Sequence, residues 1–181
     1  MNSRENLATE LKQEEGLRLF AYDDANPNVP AIQLPCIQGT LTIGHGHTSG
    51  VEPGDVITAD EAERLLYEDI DIAAEKVRRS VDRPLLPGQF WPLVGHAYNT
   101  GGSDTLFDEI NKGILNLSKI GDWWTTTYTT AGGVYFSALA ERRQSEFEVF
   151  NRSTKILRVV GAVSLLLAVL LILFFAFKPK K

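Results

Sequence analysis

The amino-acid sequence predicts an α+β protein in which a small β subdomain packs against a mainly α-helical lobe. Residues 17–48 combine alternating apolar residues with three glycines and three prolines, a pattern typical of short strands and turns. From residue 58 onward, apolar residues recur at helical spacing in several segments. An uncharged apolar run near the C-terminus predicts one transmembrane helix in addition to these two parts.

Composition limits the class of protein further. The chain has 181 residues, of which 44% are hydrophobic and 23% charged, values typical of a globular domain with one sizeable core. The net charge of -5 provides no basic surface, so we expect no nucleic-acid partner. Cys36 is the one cysteine, which excludes an intrachain disulfide and predicts a buried, inert thiol. We expect a monomer that needs no cofactor.

The C-terminal segment differs from the rest of the chain. Residues 159–177 carry no charge, and a helix of this length spans about 29 Å, close to the thickness of a bilayer core. We therefore expect a globular domain over residues 1–152 and a membrane anchor over residues 153–181, with a buried globular helix as the alternative. Five basic residues precede the run and three follow it, which favours a domain on the cytoplasmic side.

The first predicted helix ends at an acidic residue. Leu7 and Leu11 lie on one face of a helix over residues 3–14, with Ser3 or Asn2 as cap and Gly16 as a natural stop. Glu15 therefore falls at the negative end of the helix dipole. That position and partial burial both disfavour a charged carboxylate, which is the condition that a general acid needs. A solvated glutamate at a helix end is the alternative.

Two more polar clusters follow Glu15 on separate short elements. Asp23 and Asp24 come after an apparent strand that starts at Leu17, and residues 42–48 form a Gly-rich strand and turn. Between them, residues 25–41 read as a long loop or an extended hairpin. Three polar groups delivered by three elements favour a cleft, and paired carboxylates in a cleft are the equipment of glycoside hydrolysis.

Helical patterns dominate the remainder. Thr58 and Glu61 form a capping box at the start of a long helix that should end near Val81, before Pro84. Further helices are predicted from residue 87 to about 100, over 104–113, around Trp123 and over 135–150, with a turn at 132–133.

The order of these motifs resembles the phage-type lysozymes, which form glycoside hydrolase family 24. The matching segments are E-G-L-R-L at Glu15, A-Y-D-D ending at Asp24, T-I-G-H-G-H-T from Thr42, and I-T-A-D-E-A-E from Ile57. Stretches around residues 90–101 and 132–150 look like the rest of the family, so the resemblance covers about residues 5–150. It implies a lysozyme-like fold.

The resemblance also assigns catalytic roles. The family's glutamate matches Glu15, its aspartate matches Asp24 and its threonine matches Thr42. It implies an endolysin-type muramidase that cleaves the β-1,4 bond from N-acetylmuramic acid to N-acetylglucosamine in peptidoglycan, for lysis of a bacterial host. Glu15 would protonate the leaving oxygen, while Asp24 and Thr42 would hold a water or support the oxocarbenium charge. The stretch before Thr42 is longer than in the compact motif, so Asp23 is the alternative to Asp24.

Other residues receive roles beside the catalytic ones. In the family the histidine that matches His47 pairs with an acid on the long helix, and Asp69 occupies that place here. The predicted substrate contacts are Gly46, His47, Asn99 and Thr100. Arg18 is a candidate ion-pair partner for Glu15, with a substrate contact as the alternative.

Two alternatives concern metal and aromatic residues. His45 and His47 share a face of a strand, and His96 could complete a three-histidine zinc site, although we expect no metal. Trp123 and Trp124 could stack on sugars in the cleft or simply pack in the core.

Two function classes follow for the whole chain. The first is a muramidase that acts on peptidoglycan and is anchored in the bilayer by residues 159–177, with its domain in the host cytoplasm until lysis. A domain that faces the cell wall is the alternative orientation. The second class is a membrane-anchored wall-binding or lysis-accessory protein, whose site is remodelled by the insertion at residues 25–41.

Overall fold

The computed structural model describes residues 2–113, 117–131 and 134–176. Within these ranges the strands are β1 (Arg18–Asp23), β2 (Asn26–Pro30), β3 (Leu41–Gly44), β4 (Thr130–Ala131) and β5 (Val134–Tyr135), and a 3-10 turn covers Ala31–Gln33. The helices are α1 (Arg4–Glu15), α2 (Ala59–Ser80), α3 (Pro87–Thr100), α4 (Asp104–Lys112), α5 (Leu117–Thr126) and α6 (Ser137–Ala176). The turn predicted at residues 132–133 lies outside the described residues.

The first two helices begin and end where the sequence predicts. Ser3 caps α1 by accepting a hydrogen bond from the backbone N–H of Asn6, and Gly16 ends the helix with φ of 68°. At α2 the backbone N–H of Glu61 donates to the Thr58 hydroxyl at 3.2 Å, and the Glu61 carboxylate accepts from the Thr58 N–H at 2.8 Å. The predicted capping box is therefore confirmed.

The β subdomain is an antiparallel sheet with strand order β2-β1-β3. Tyr22 on the central strand pairs with Thr42 on one side and Pro30 on the other. Residues 25–41, predicted as a loop or extended hairpin, form the hairpin, because β2 folds back on β1. The predicted buried thiol is wrong: Cys36 lies in this excursion and is exposed.

The two parts of the fold have cores of very different size. The main core gathers apolar side chains from α1 to α6, with Leu7, Leu66, Phe107 and Trp124 among the largest that are fully buried. The β subdomain has a separate core whose buried members are Ala21, Ala31 and Ile43. The predicted small β subdomain on a mainly helical lobe is confirmed.

The last helix is longer than predicted. α6 begins at Ser137 and runs to Ala176 without a break at residue 152, because neither glycine nor proline interrupts residues 138–160. No helix within the described ranges has the length and apolar character that crossing a membrane requires. The predicted span extends to residue 177, which lies outside those ranges.

Candidate active site

The acid at the end of α1 lies against a cation from α6. Arg142 Nη1 is 3.0 Å from Glu15 Oε1, and Arg142 Nε is 3.0 Å from Glu14 Oε2. The Arg142 side chain is only 13% exposed and that of Glu15 25%, so the contact is largely shielded from solvent. The alternative in which Arg18 pairs with Glu15 is wrong, because among the described residues Arg142 occupies that place and the Arg18 guanidinium lies 5.9 Å from the centre of the Tyr22 ring.

The two aspartates at the end of β1 have different environments. Asp23 is fully buried and accepts backbone hydrogen bonds from Gln38 and Gly39, each at 2.8 Å, and from Ala25 at 3.1 Å. These backbone hydrogen bonds, that of Gln38 foremost, lower the pKa of Asp23 despite its burial. Asp23 therefore binds the two ends of the insertion at residues 25–41. Asp24 is the exposed carboxylate of the pair.

The end of the insertion at residues 25–41 folds back onto the aspartates, so the insertion does not separate them from Thr42. The backbone N–H of Thr40 donates to Asp24 Oδ1 at 2.7 Å, and the Asp24 N–H donates to the Thr40 carbonyl at 3.1 Å. Gly39 lies so close that an added Cβ would be 1.8 Å from Asp24 Oδ1. Asp23 pairs with Leu41 across β1 and β3. The insertion therefore leaves the aspartates and Thr42 on neighbouring strands.

Tyr22 links the three residues predicted to be catalytic. Thr42 lies opposite it on β3 and is nearly buried, with its hydroxyl donating to the Thr40 carbonyl at 3.1 Å. Burial raises the pKa of Tyr22, and the charges of Glu15 and Asp24 raise it further. Tyr22 therefore lies beside Thr42 on the sheet and feels the charges of both carboxylates.

The turn after β3 closes against α1 and α3. Gly46 has φ of 94°, and an added Cβ would lie 3.6 Å from the Tyr98 hydroxyl and 3.7 Å from Glu15 Oε2. The Tyr98 hydroxyl donates to the His45 carbonyl at 2.6 Å, and burial raises the Tyr98 pKa. A groove of about 240 Å³ continues from Gly46 and Tyr98 toward α2, with Asp69 and Lys76 on its wall.

His47 and Asp69, the predicted structural pair, are in contact. His47 Nδ1 lies 2.8 Å from Asp69 Oδ2, and His47 Nε2 lies 2.9 Å from the Ser49 carbonyl oxygen. Burial raises the pKa of Asp69, and the hydrogen bond from His47 opposes that shift. The pair joins the turn after β3 to α2.

The structure does not assemble the alternative zinc site. The His45 ring hydrogen bonds to the Gly16 carbonyl, while His96 is buried in the helical lobe with its Nδ1 accepting from Arg143 at 2.9 Å. In the described part of the chain, no three His, Cys, Asp or Glu side chains are grouped to hold a metal ion. The three histidines thus hydrogen bond to three different partners and do not form one metal site.

The predicted substrate contacts on α3 are already hydrogen bonded within the protein. Asn99 Oδ1 accepts from Arg143 Nη2 at 3.1 Å. The Thr100 hydroxyl donates to the His96 carbonyl at 2.7 Å and accepts from the Gly102 N–H at 3.1 Å. Both side chains are only partly buried, so they can form the edge of a cleft.

A buried polar network lies beneath this edge. Arg143 is fully buried and donates to Glu146 Oε1 at 2.9 Å, and the Trp124 indole N–H donates to Glu146 Oε2 at 2.9 Å. Trp124 is therefore a core residue, as one of the two alternatives had it. Trp123 is half-buried, with its ring centre 6.2 Å from that of His96.

Sequence reasoning missed three residues of the site. The sequence assigns no role in the site to Arg142, Tyr22 or Tyr98. The available signal was the arginine pair 142–143 on an otherwise amphipathic helix, since buried arginines require acidic partners.

The fold and the acids at the junction of its lobes define a lysozyme-like hydrolase. The sequence model of the phage lysozyme family matches residues 12–146, most of the chain. The chain therefore belongs to the phage lysozyme family and is a glycoside hydrolase of the muramidase type. The predicted family is confirmed.

Known relatives support this assignment. The chain is 32% identical over 151 residues to an endolysin of Bacillus phage PZA, covering 80% of this chain and 53% of that protein. It is 29% identical over 146 residues to an endolysin of Acyrthosiphon pisum secondary endosymbiont phage 1, covering 78% of this chain and 92% of that protein. It thus spans about half the length of the first relative and nearly all of the second.

Solved structures show the same fold. The muramidase domain of SpmX from Asticaccaulis excentricus superposes with a TM-score of 0.63 at 26% identity, covering 83% of this chain and 97% of that domain. The endolysin from Escherichia coli O157:H7 phage FAHEc1 superposes with a TM-score of 0.58 at 28% identity, covering 83% of this chain and 92% of that protein.

Proposed function

We propose that this muramidase hydrolyses the β-1,4 bond from N-acetylmuramic acid to N-acetylglucosamine in peptidoglycan, with Glu15 as the general acid. The observation that carries this proposal is the environment of Glu15. Its Oε1 lies 3.0 Å from Arg142 Nη1, and its Oε2 lies on the side of Gly46, a residue that lines the groove. Glu15 thus has one oxygen beside a cation of the protein and the other next to the groove residue Gly46, where a general acid can meet a substrate.

The chemistry needs two further groups. Glu15 gives its proton to the glycosidic oxygen as the bond to the anomeric carbon breaks. Asp24 and Thr42 hold the water, or support the positive charge on the sugar. The water adds its hydroxyl group to the anomeric carbon, and its remaining proton passes to a carboxylate of the site, either Asp24 or the ionised Glu15. The exposure of Asp24, and the pairing that brings Thr42 beside Tyr22, support these roles.

The proposed substrate contacts have separate tasks. Gly46 borders the groove and allows close approach of a sugar because it has no side chain. His47 has both ring nitrogens engaged, so its task is to hold the turn that presents Gly46. Asn99 uses its Oδ1 for Arg143, which leaves its amide N–H groups to donate, and Thr100 extends the same edge.

The test uses the full chain, purified in mild detergent, on isolated peptidoglycan. We expect new reducing ends, and we expect mass spectrometry to find N-acetylmuramic acid at the reducing terminus of the products. Glu15→Gln should lower the rate by at least about a hundredfold, since it removes the proton donor and keeps the shape. The matched control is Glu141→Gln at an exposed position of α6. Wall binding without new reducing ends would instead indicate the accessory protein.

We also propose that residues 159–177 attach the enzyme to the inner membrane of a bacterial host, with residues 1–152 as the lysozyme domain. The uncharged run supports this, as does the exposure of Leu166 and Leu170 on α6. We expect the full chain to remain in the membrane pellet after carbonate extraction. Leu166→Lys combined with Leu170→Lys should release it, because each buried lysine costs about 3 kcal/mol. Leu17→Lys, at an exposed site in the β subdomain, is the control.

The proposed orientation is a domain in the cytoplasm before lysis. The five basic residues before the run, against three after it, support this side. Protease added to intact spheroplasts should leave the lysozyme domain whole. Digestion of the domain there would favour the orientation toward the cell wall. We expect a monomer, which light scattering of the detergent-purified chain would test.

A further inference from the structure

Arg142 is shared by two consecutive glutamates. Its Nε faces Glu14 Oε2 and its Nη1 faces Glu15 Oε1, both at 3.0 Å. The side chains of Glu14 and Glu15 are 35% and 25% exposed, so neither carboxylate is freely solvated. One positive charge therefore serves two partly buried acids, of which the second is the proposed proton donor.

The contact between Arg142 and Glu15 is incomplete. Arg142 Nη1 and Glu15 Oε1 are both buried and, among the described residues, neither has a hydrogen bond of good geometry despite their 3.0 Å separation. A guanidinium aligned on one carboxylate forms two parallel hydrogen bonds and strongly favours the ionised form. Neither glutamate receives such a contact here, because Nε of the arginine faces Glu14 and its Nη1 faces Glu15.

Several other charges and titratable groups act on this cluster. Burial raises the pKa of Glu14, Arg142 lowers it, and the negative charges nearby raise it again. The groups that interact with the cluster are Glu10 on α1, Arg143 and Glu146 on α6, Tyr22 on β1, and Tyr98 on α3. Arg142 is the cation in direct contact with both glutamates.

We propose, resting on the role of Glu15 as general acid, that Glu14 is a positioning residue that holds the Nε edge of Arg142 and so keeps this arginine from ionising Glu15. An isolated Glu15–Arg142 pair would be a good structural ion pair and a poor proton donor. The neighbouring carboxylate divides the charge of the arginine between two acids. Glu14 thereby keeps Arg142 from being committed to Glu15 alone.

The experiment compares pH profiles of kcat/KM on purified peptidoglycan for the full chain in detergent. Glu14→Gln should move the limb on which activity falls with rising pH to lower pH by roughly half a unit, which is about a threefold loss on that limb. Glu14→Asp keeps the charge and should restore most of the wild-type profile. Glu141→Gln removes the same charge next to Arg142 in sequence, at an exposed position, and should leave the profile unchanged. Thermal unfolding of each variant checks that it folds.

The outcomes separate this proposal from the proposed function. A Glu14→Gln profile that superposes on the wild type, with Glu15→Gln inactive, overturns the role of Glu14 and leaves the muramidase assignment standing. A shift of equal size in Glu141→Gln also overturns it, because general loss of negative charge would then be the cause. Activity retained in Glu15→Gln refutes the proposed acid itself. A Glu14→Gln shift toward higher pH contradicts the sharing of Arg142.

Discussion

The helical lobe and the β subdomain are stabilised in different ways. The helical lobe buries large apolar side chains from α1 to α6, together with a polar network around Arg143. The β subdomain buries only Ala21, Ala31 and Ile43 in its own core and relies on Asp23 to hold its insertion. Two of the three proposed catalytic residues, Asp24 and Thr42, thus lie on the part with the smaller core. The geometry there depends on a few hydrogen bonds instead of on packing.

The largest expected effect is in the helical lobe. Arg143→Met should destabilise the protein by about 3–5 kcal/mol, because it leaves Glu146 as a buried carboxylate without its cation. Urea unfolding measures the loss. The double variant with Glu146→Leu should recover more than half of it, since the unpaired charge is then removed. A single variant that unfolds like the wild type would show that the network does not stabilise this lobe.

A smaller loss of stability with a larger loss of activity is expected in the β subdomain. In Gly39→Ala the new methyl group would overlap Asp24 Oδ1 and lie 2.7 Å from Asp23 Oδ1. We expect about 2 kcal/mol of destabilisation and at least about a tenfold drop in kcat/KM, because the aspartates must move. Gly54→Ala is the matched control, since its nearest neighbour would be 3.8 Å away. Equal activities for the two variants would contradict this view of the loop.

The Asp23 contribution should depend on pH. Its folded pKa is lowered by backbone hydrogen bonds, so its stabilisation is present above the ordinary aspartate value of about 3.9 and is lost as pH falls through the lower folded value. Asp23→Asn should lower Tm by about 5 °C at pH 7, because an amide NH2 would face backbone N–H groups. The difference between variant and wild type should shrink below about pH 4. A difference that is constant with pH would exclude an ionised Asp23, and Asp60→Asn on the surface of α2 serves as control.

The smallest effect is expected on the outer surface of α2. Arg64 Nη1 lies 2.6 Å from Glu68 Oε1, but the two side chains are 59% and 52% exposed. Arg64→Ala should change the free energy of unfolding by no more than about 0.5 kcal/mol, because solvent screens this pair. Urea unfolding in low and high salt would detect a larger contribution.

The sequence predicts local structure where one short pattern decides it. The α2 capping box and the stop at Gly16 each depend on a few adjacent residues, and both appear in the fold. The end of α6 could not be predicted in this way, because an uninterrupted helix continues until something breaks it. The break expected near residue 150 had no glycine or proline to cause it.

The site was predicted less completely than the fold. Glu15 was found because a helix end and a motif coincide there. Arg142 was not, because it comes from a helix more than a hundred residues later, and only tertiary packing brings the two together. The difference between Asp23 and Asp24 is also tertiary, since it depends on where the backbone of Gln38 and Gly39 returns.

The closure of the insertion by Asp23 and Asp24 has a practical consequence. Its two ends are joined by backbone contacts at residues 24 and 40, so the chain between them starts and finishes at almost one point. Lengthening a loop that is closed at its base costs little, about 0.6 kcal/mol for each doubling. Ile32, Cys36 and Ile37 there are exposed. This excursion is therefore a suitable place to graft a targeting peptide or an affinity tag while the hydrolase keeps its chemistry.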